Sequence, residues 1–290
     1  MLTVALTLAR TDMRDKCQTQ FNRRQLLAIT AAVLLLVTTL GANDSPPDAA
    51  DTVLFDGHSL AGWHTNPLPV GHGTGGRWQV ERGVLTGEQD PPGSGNGGLL
   101  LTDKKYGDFE LNLELNPDWG PCSGVFFRST DAGAGFQMYV DYHDGGNVGH
   151  LLGEMPGAFG MMPFKFNGIL DNHGKLLRIV GAPDPRTANW PPGVYESICS
   201  AEDFVAAWKV GQWNSARIRC VGARPRINVW INGLEVCRFN GETCTLPAYD
   251  KDRVLKQLGP QGSIGLQVHG GKDWPKGAKC RWRNIRIREL

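Results

Sequence analysis

Apolar and polar residues alternate with a period of two in several short stretches of the chain. The clearest is residues 108–116, where Phe109, Leu111, Leu113 and Leu115 would face a core and the residues between them would face out. This period is typical of β-strands. Similar stretches occupy residues 123–129, 135–142, 214–222, 226–239, 262–270 and 279–290.

Turn and cap residues refine this picture. Asn232-Gly233 predicts a type I′ hairpin turn, because both positions need positive φ, and a shift of the apolar phase near Asn284 predicts a β-bulge. One helix is expected, beginning after Ser200 with Asp203 at the capping-box position.

The region 143–213 is otherwise rich in Gly and Pro, and we expect a long loop insertion there. Many short strands with little helix predict an all-β fold, a two-sheet antiparallel jelly-roll sandwich with one short helix.

The first 42 residues do not follow the strand pattern. Arg23-Arg24 precede an apolar run at 26–40 that ends at Gly41-Ala42, which is the pattern of a secretory leader. The run has about 15 residues, whereas a membrane span needs about 20; an uncleaved N-terminal anchor is the alternative. We therefore predict a leader at 1–42, a linker at 43–52 and a single domain at 53–290. The protein would be exported to the periplasm or outside the cell, with no stable membrane span after leader cleavage.

Composition changes little in this picture. The leader holds five basic and two acidic residues, so the remaining chain has 25 basic and 27 acidic residues. This near-neutral balance gives no indication of nucleic-acid binding. Six cysteines follow the leader without a CxxC pair; we expect at least one disulfide, with buried free thiols as the alternative.

Three strands carry unusual polar rows on the face away from the predicted core. Gln137, Tyr139 and Asp141 share one row. The other two strands contribute Gln267 with His269, and Phe126 with Arg128. If these strands are neighbours in one sheet, amides, a carboxylate, an imidazole, a guanidinium and aromatic rings would converge on one surface. Such groups bind sugar hydroxyls and pack on pyranose rings, which predicts a carbohydrate site.

Each of these residues also has a simpler interpretation, as a solvent-facing, turn or packing side chain, so the prediction depends on the coincidence of the rows. His143, Asp144 and His150 could join Asp141 or Glu154 around a divalent cation, but their spacing matches no standard metal motif. Cofactor and metal therefore stay unassigned, with a divalent cation open.

Several segments occur in the order found in one known family. They are LFDGHSLAGW (54–63), GGLLLTDKKYGDFELNLEL (97–115), SGVFFRS, GFQMYVDY, GSIGLQVHG and WRNIRIREL. In these segments the chain resembles the 3-keto-disaccharide (3-keto-glycoside) hydrolase domain family over residues 53–290. Cys122 stands where the family often has Asn. The resemblance implies a concanavalin-like jelly-roll fold and cleavage of glycosidic bonds in sugars oxidised at C3.

Chemistry on a 3-keto sugar suggests roles for the rows. A C3 ketone acidifies the C2 proton, so a base, an acid for the leaving oxygen and an enolate stabiliser would suffice. We assign His269 and Asp141 as the acid/base pair, which could instead hold a metal ion, and Arg128 as the enolate stabiliser. The predicted substrate-binding residues are Gln137, Tyr139, Gln267 and Phe126. The alternative is a non-catalytic, lectin-like glycan-binding module.

Overall fold

The computed structural model of the chain describes residues 51–67, 73, 75–154 and 159–290, without the side chain of Glu154. The predicted leader and almost all of the linker lie outside the described residues. Residues Ala49–Leu290 form one compact unit. The helices of this described part are α1 (Ala201–Ala207) and α2 (Lys251–Leu258), with a short 3-10 helix at Pro185–Asn189. The strands in the described residues are β1 (Thr52–Val53), β2 (Trp63–Thr65), β3 (Arg77–Glu81), β4 (Val84–Glu88), β5 (Gly98–Thr102), β6 (Phe109–Leu115), β7 (Gly124–Ser129), β8 (Gly135–Val140), β9 (Val148–Glu154), β10 (Phe159–Met161), β11 (Phe164–Leu170), β12 (Leu176–Pro183), β13 (Ser197–Ile198), β14 (Asn214–Val221), β15 (Arg226–Ile231), β16 (Leu234–Asn240), β17 (Ser263–Val268) and β18 (Cys280–Glu289).

The strands form two large sheets and one separate hairpin. The nine-stranded sheet of the described residues has the order β13-β16-β15-β14-β6-β18-β4-β3, and β1 pairs with β18. The seven-stranded sheet has the order β10-β9-β8-β7-β17-β5-β2, and β11 pairs with β12 alone. The recorded pairings are antiparallel. The predicted all-β antiparallel fold is confirmed.

The core is formed by the inward rows of both large sheets. Burial alternates along β6, where Phe109 and Leu111 are buried and Glu110 and Asn112 are partly exposed, as the sequence pattern predicts. Phe109 packs edge to face on Phe127 of the other sheet, with ring centroids 6.2 Å apart. Contacts of this kind join the two sheets into one apolar cluster.

The predicted local features are present. Ser200 Oγ accepts a hydrogen bond of 3.0 Å from the backbone N–H of Asp203 at the start of α1. Asn232 and Gly233 have φ of 50° and 86°, as a type I′ turn requires. The register of β18 shifts between Arg283 and Arg286, which is the predicted bulge at Asn284.

The prediction of an irregular insertion at 143–213 is wrong. The described part of this region contains β9 to β13 as well as α1. Strand β9 escapes the alternation test because Gly149 and Gly153 interrupt its pattern and its residues are mostly buried. Helix α2 was also missed, although Asp250 caps it and Val254 and Leu258 bury one side.

The expected disulfide is not formed. The six cysteines of the domain are free thiols, at positions 122, 199, 220, 237, 244 and 280. Burial raises the pKa of Cys220 and of Cys280 to about 12, so both thiols stay protonated. In the part of the chain that the structure describes, no helix is long and apolar enough to cross a membrane.

Candidate active site at the ends of strands β8 and β17

The direction of three strands brings the candidate side chains together. Strand β7 is antiparallel to both of its neighbours, β8 and β17. The start of β7 therefore lies beside the ends of β8 and β17. Cys122 comes just before β7, Asp141 directly follows β8 and His269 directly follows β17. The three residues line one pocket of about 620 Å³.

Loops complete the wall of this pocket. Tyr142 holds Trp119 edge to face at a centroid distance of 4.9 Å. The indole N–H of Trp274 donates to the carbonyl oxygen of Ala278 at 2.9 Å. The pocket thus combines ionisable groups with two indole rings, which suits a ligand with both hydroxyl groups and C–H faces. Its lining residues are Trp119, Gly120, Cys122, Asp141, His143, Asp144, His269, Gly270, Asp273, Trp274 and Pro275.

Asp141 is a buried carboxyl group with few hydrogen-bond donors. Burial raises the pKa of Asp141, and the hydrogen bond from Cys122 together with the charges of His143 and His269 opposes that shift. The Sγ of Cys122 lies 2.9 Å from Oδ1 of Asp141. Burial also raises the pKa of the Cys122 thiol far above its usual value, so the thiol stays protonated. It therefore donates a hydrogen bond to the carboxyl oxygen of Asp141. A carboxyl group in this setting can act as a proton donor.

Each imidazole of the pocket is oriented by a backbone carbonyl. Nδ1 of His143 is 2.9 Å from the carbonyl oxygen of Asp144, and Nδ1 of His269 is 2.5 Å from that of Gly270. A carbonyl oxygen can only accept, so Nδ1 carries the proton in both rings. In the neutral ring Nε2 then has the lone pair and can take a proton from a substrate.

The two predicted glutamines form a buried amide pair and are not among the residues that line the pocket. The Nε2 of Gln137 donates to Oε1 of Gln267 at 3.0 Å and to the carbonyl oxygen of Ser123 at 3.2 Å. Oε1 of Gln137 and Nε2 of Gln267 have no hydrogen-bond partner among the described residues. Gly124 makes room for this pair, because a Cβ there would lie 2.1 Å from Nε2 of Gln137.

Three other predicted site residues lie elsewhere. Tyr139 lines a different cavity of about 330 Å³ next to Arg186 and Trp190. Phe126 is fully buried in a small apolar cluster with Leu99 and Leu101.

Arg128 does not reach the pocket. It is 1 % exposed, at the opposite end of β7, where it donates to Oδ1 of Asp108 at 3.0 Å and to the carbonyl oxygen of Gly107. It follows Cys122 by six positions of extended chain, or about 20 Å at 3.3 Å per residue. The geometry therefore supports a structural ion pair at Arg128, and the predicted enolate-stabilising role gains no support from it.

Two of the suggested metal ligands, Asp141 and His143, lie close to each other and to Cys122, which was not among the suggested ligands. The ligand atoms of Cys122, Asp141 and His143 lie within 4.8 Å of one another, a spacing at which they could hold a small cation. His150 is separate from them: it contacts Asn147 at 3.1 Å, and burial lowers its pKa to about 3, so it is a neutral core residue.

Sequence reasoning missed Cys122, Trp119 and Trp274 as site residues. The two tryptophans carry a usable signal, because each lies next to Gly or Pro in a polar turn that precedes or follows a strand. A large aromatic ring in such a loop has no strand face of its own and marks a wall for a ligand.

Comparison with known proteins now adds the family. The sequence profile of the 3-keto-alpha-glucoside-1,2-lyase-like domain matches residues 50–288. The chain belongs to this family. A relative from Bacteroides thetaiotaomicron named 3-keto-disaccharide hydrolase is 22 % identical over 289 residues, which cover 91 % of this chain and 87 % of the relative. The resemblance noted in the sequence is confirmed.

Solved structures similar to this family member have low identity. A candidate glycosyl hydrolase from Parabacteroides distasonis is 18 % identical with a TM-score of 0.48, covering 83 % of this chain and 94 % of its own. A Bacillus subtilis protein with a galectin-like fold is 13 % identical with a TM-score of 0.41, covering 84 % and 97 %.

Proposed function

We propose that this protein cleaves the glycosidic bond of 3-keto-glycosides by C2 proton abstraction, β-elimination and hydration. The observation that carries the proposal is the meeting of Asp141 and His269 in one aromatic-walled pocket. One is a carboxyl group whose pKa is raised by burial, and the other is an imidazole whose Nε2 can accept a proton. Family membership supports the choice of a 3-keto-glycoside as substrate.

The elimination step uses each group once. Nε2 of His269 takes the proton from C2, which the C3 ketone has acidified, and the electron pair forms the C1–C2 double bond. The C1–O bond breaks, and the carboxyl group of Asp141 gives its proton to the departing oxygen. Burial favours the protonated form of Asp141 that this step requires.

Hydration reverses the roles. The carboxylate of Asp141 now takes a proton from water as the oxygen of that water bonds to C1. The imidazolium of His269 returns its proton to C2, so both side chains recover their starting forms and the net reaction is hydrolysis. A ring nitrogen of His143 lies within 4.8 Å of a carboxyl oxygen of Asp141, and His143 is the group we assign to stabilise the enolate.

A deuterium-exchange assay tests this reaction. The protein, with His269→Ala and Asp141→Asn variants, is incubated in D₂O with a 3-keto-disaccharide and with the parent disaccharide. We expect free sugar and deuterium at C2 from the keto form alone, and neither product from His269→Ala. Cleavage of the parent disaccharide without C2 exchange would contradict the mechanism. Binding without turnover would favour the lectin-like alternative, for which the two tryptophans would equally serve as sugar platforms.

We also propose that the chain is exported, on the basis of the leader pattern at 1–42. Cell fractionation with N-terminal sequencing of the recovered protein tests this. A cytoplasmic protein that retains residues 1–42 would contradict it.

A further inference from the structure

The outward face of the nine-stranded sheet carries rows of side chains that run across the strands. In two of these rows a glutamate of β6 faces an arginine of β18. Arg283 Nε donates to Oε2 of Glu114 at 2.6 Å, and Arg288 donates to Oε1 of Glu110 at 3.0 Å. Each glutamate charge of β6 is therefore offset within the protein.

The row between these two differs at one position. The register places Arg286 opposite Asn112, Asn112 opposite Arg217, and Arg217 opposite Trp230. Asn112 thus occupies the β6 position at which the flanking rows have a carboxylate. Neither Arg286 nor Arg217 has a carboxylate partner among the described residues, so two positive charges flank a neutral amide.

The guanidinium of Arg217 is held in one orientation by Trp230. Its guanidinium lies over the ring of Trp230, 3.9 Å from the centroid. Stacking holds the guanidinium plane while its N–H edge stays available, which is the arrangement that binds carboxylates with two parallel hydrogen bonds. In the described part of the chain, the guanidinium of Arg217 contacts Trp230 and has no hydrogen-bond acceptor.

These residues line a groove of about 700 Å³ on the opposite sheet from the candidate active site. Adjacent strands are about 4.8 Å apart, so the backbones of Arg286 and Arg217 are separated by about 10 Å across Asn112. That span suits successive carboxylates of a chain rather than one small anion. Polar groups of the groove, including Ser215 and Asn284, could bind hydroxyls along the same chain.

We propose that this groove is a second glycan-binding site that takes an acidic, uronate-bearing oligosaccharide. The carboxylates of the glycan would bind Arg286 and Arg217 on either side of Asn112 and supply the negative charge that the neutral amide lacks. The site would hold the protein on an acidic polysaccharide while the separate pocket acts on its own substrate. This inference goes beyond the proposed reaction and does not depend on it.

Binding of tetragalacturonate to the protein tests the proposal. It is measured at low salt by calorimetry and by Trp fluorescence, and a neutral tetrasaccharide of glucose is the comparison. We expect binding of the acidic tetramer only, weakened by added salt. Arg217→Ala and Arg286→Ala should each weaken it about tenfold, equivalent to about 1.4 kcal/mol. Arg219→Ala is the matched control, because Arg219 is an exposed arginine of the same strand whose row contains Glu110.

Asn112→Glu separates binding from folding. The new carboxylate would lie between the two arginines and repel the carboxylates of the glycan, so it should abolish tetragalacturonate binding without lowering the melting temperature. Turnover of a small 3-keto-disaccharide should be unchanged, which keeps this test distinct from that of the active site. The proposal is overturned if the acidic tetramer does not bind, if Asn112→Glu binds it normally, or if the neutral tetramer binds as well. Tighter binding of duplex DNA or anionic vesicles with the same variant dependence would also overturn it.

Discussion

Replacing Asp141 by Asn should strongly lower activity and stabilise the fold at the same time. The amide has nearly the same shape as the carboxyl group and can still accept the hydrogen bond from Cys122, so packing is retained. It cannot give up a proton. General acid catalysis contributes about 10²- to 10⁴-fold, and we expect kcat/KM for a 3-keto-disaccharide to fall by at least about 100-fold.

The stability gain follows from burial. Asp141 is 8 % exposed and its pKa is raised in the fold, whereas in the unfolded chain it would ionise near 3.9. Stability from this group is therefore fully present below pH about 3.9 and is lost as the pH rises through the folded-state pKa. Each unit of upward shift costs about 1.36 kcal/mol above that pKa, and the Asn variant avoids the cost. A gain of about 1 kcal/mol would raise Tm by about 2–4 °C in a domain of this size.

Thermal unfolding at neutral pH and near pH 3.5, compared between wild type and Asp141→Asn, checks this sign. We expect the variant to be more stable at neutral pH and equal to wild type at the acidic end. Asp273→Asn is the stability control, because Asp273 is an exposed carboxylate of the same pocket and should show no such gain. A variant that is active, or one that is no more stable at neutral pH, would refute the reasoning.

Three further substitutions test other parts of the structure. Arg128→Met should lower the free energy of unfolding by a few kcal/mol, because it removes the ion pair with Asp108. The kcat/KM of the folded protein should stay within about twofold, because this pair is far from the pocket. A large loss of kcat with normal unfolding would contradict this. Gly124→Ala should displace the Gln137 amide and raise KM about tenfold or more, checked by kinetics beside a melting curve; unchanged kinetics would rule out a role for the amide pair. Trp119→Ala should raise KM about tenfold with a smaller change in kcat, and an unchanged KM would exclude it as a sugar platform.

The sequence predicted strands well where one face is buried and the other is wet. Strand β6 shows this, because Phe109 and Leu111 alternate with Glu110 and Asn112 in both sequence and burial. It failed at β9, which is mostly buried and contains Gly149 and Gly153, so no alternation is visible. Hairpin β11–β12 failed for another reason: its apolar residues are consecutive, as at Ile169-Leu170 and Leu176-Leu177, and several are exposed, so no alternation marks a buried face.

The site was predicted only in part. The alternation of residues predicts on which side of the sheet a side chain lies, but not which residues it contacts there. Gln137 and Gln267 were expected to bind hydroxyls of a ligand. In the structure they are buried, and Gln137 donates a hydrogen bond to Gln267. Phe126 shares their strand face, but Leu99 and Leu101 cover it. Polarity along a strand cannot reveal which neighbouring strand supplies the partner.

Strand direction decides which predicted residues can act together. Asp141 and His269 follow the ends of β8 and β17, which run in the same direction because each is antiparallel to β7. The residue from this side that can join them must lie at or just before the beginning of β7, which selects Cys122. Arg128 lies near the end of β7 and is carried to the far edge of the sheet. A polar row on a central antiparallel strand thus contributes only one of its ends to a site formed by the two flanking strands, and here the contribution is a thiol that donates a hydrogen bond to the proposed acid.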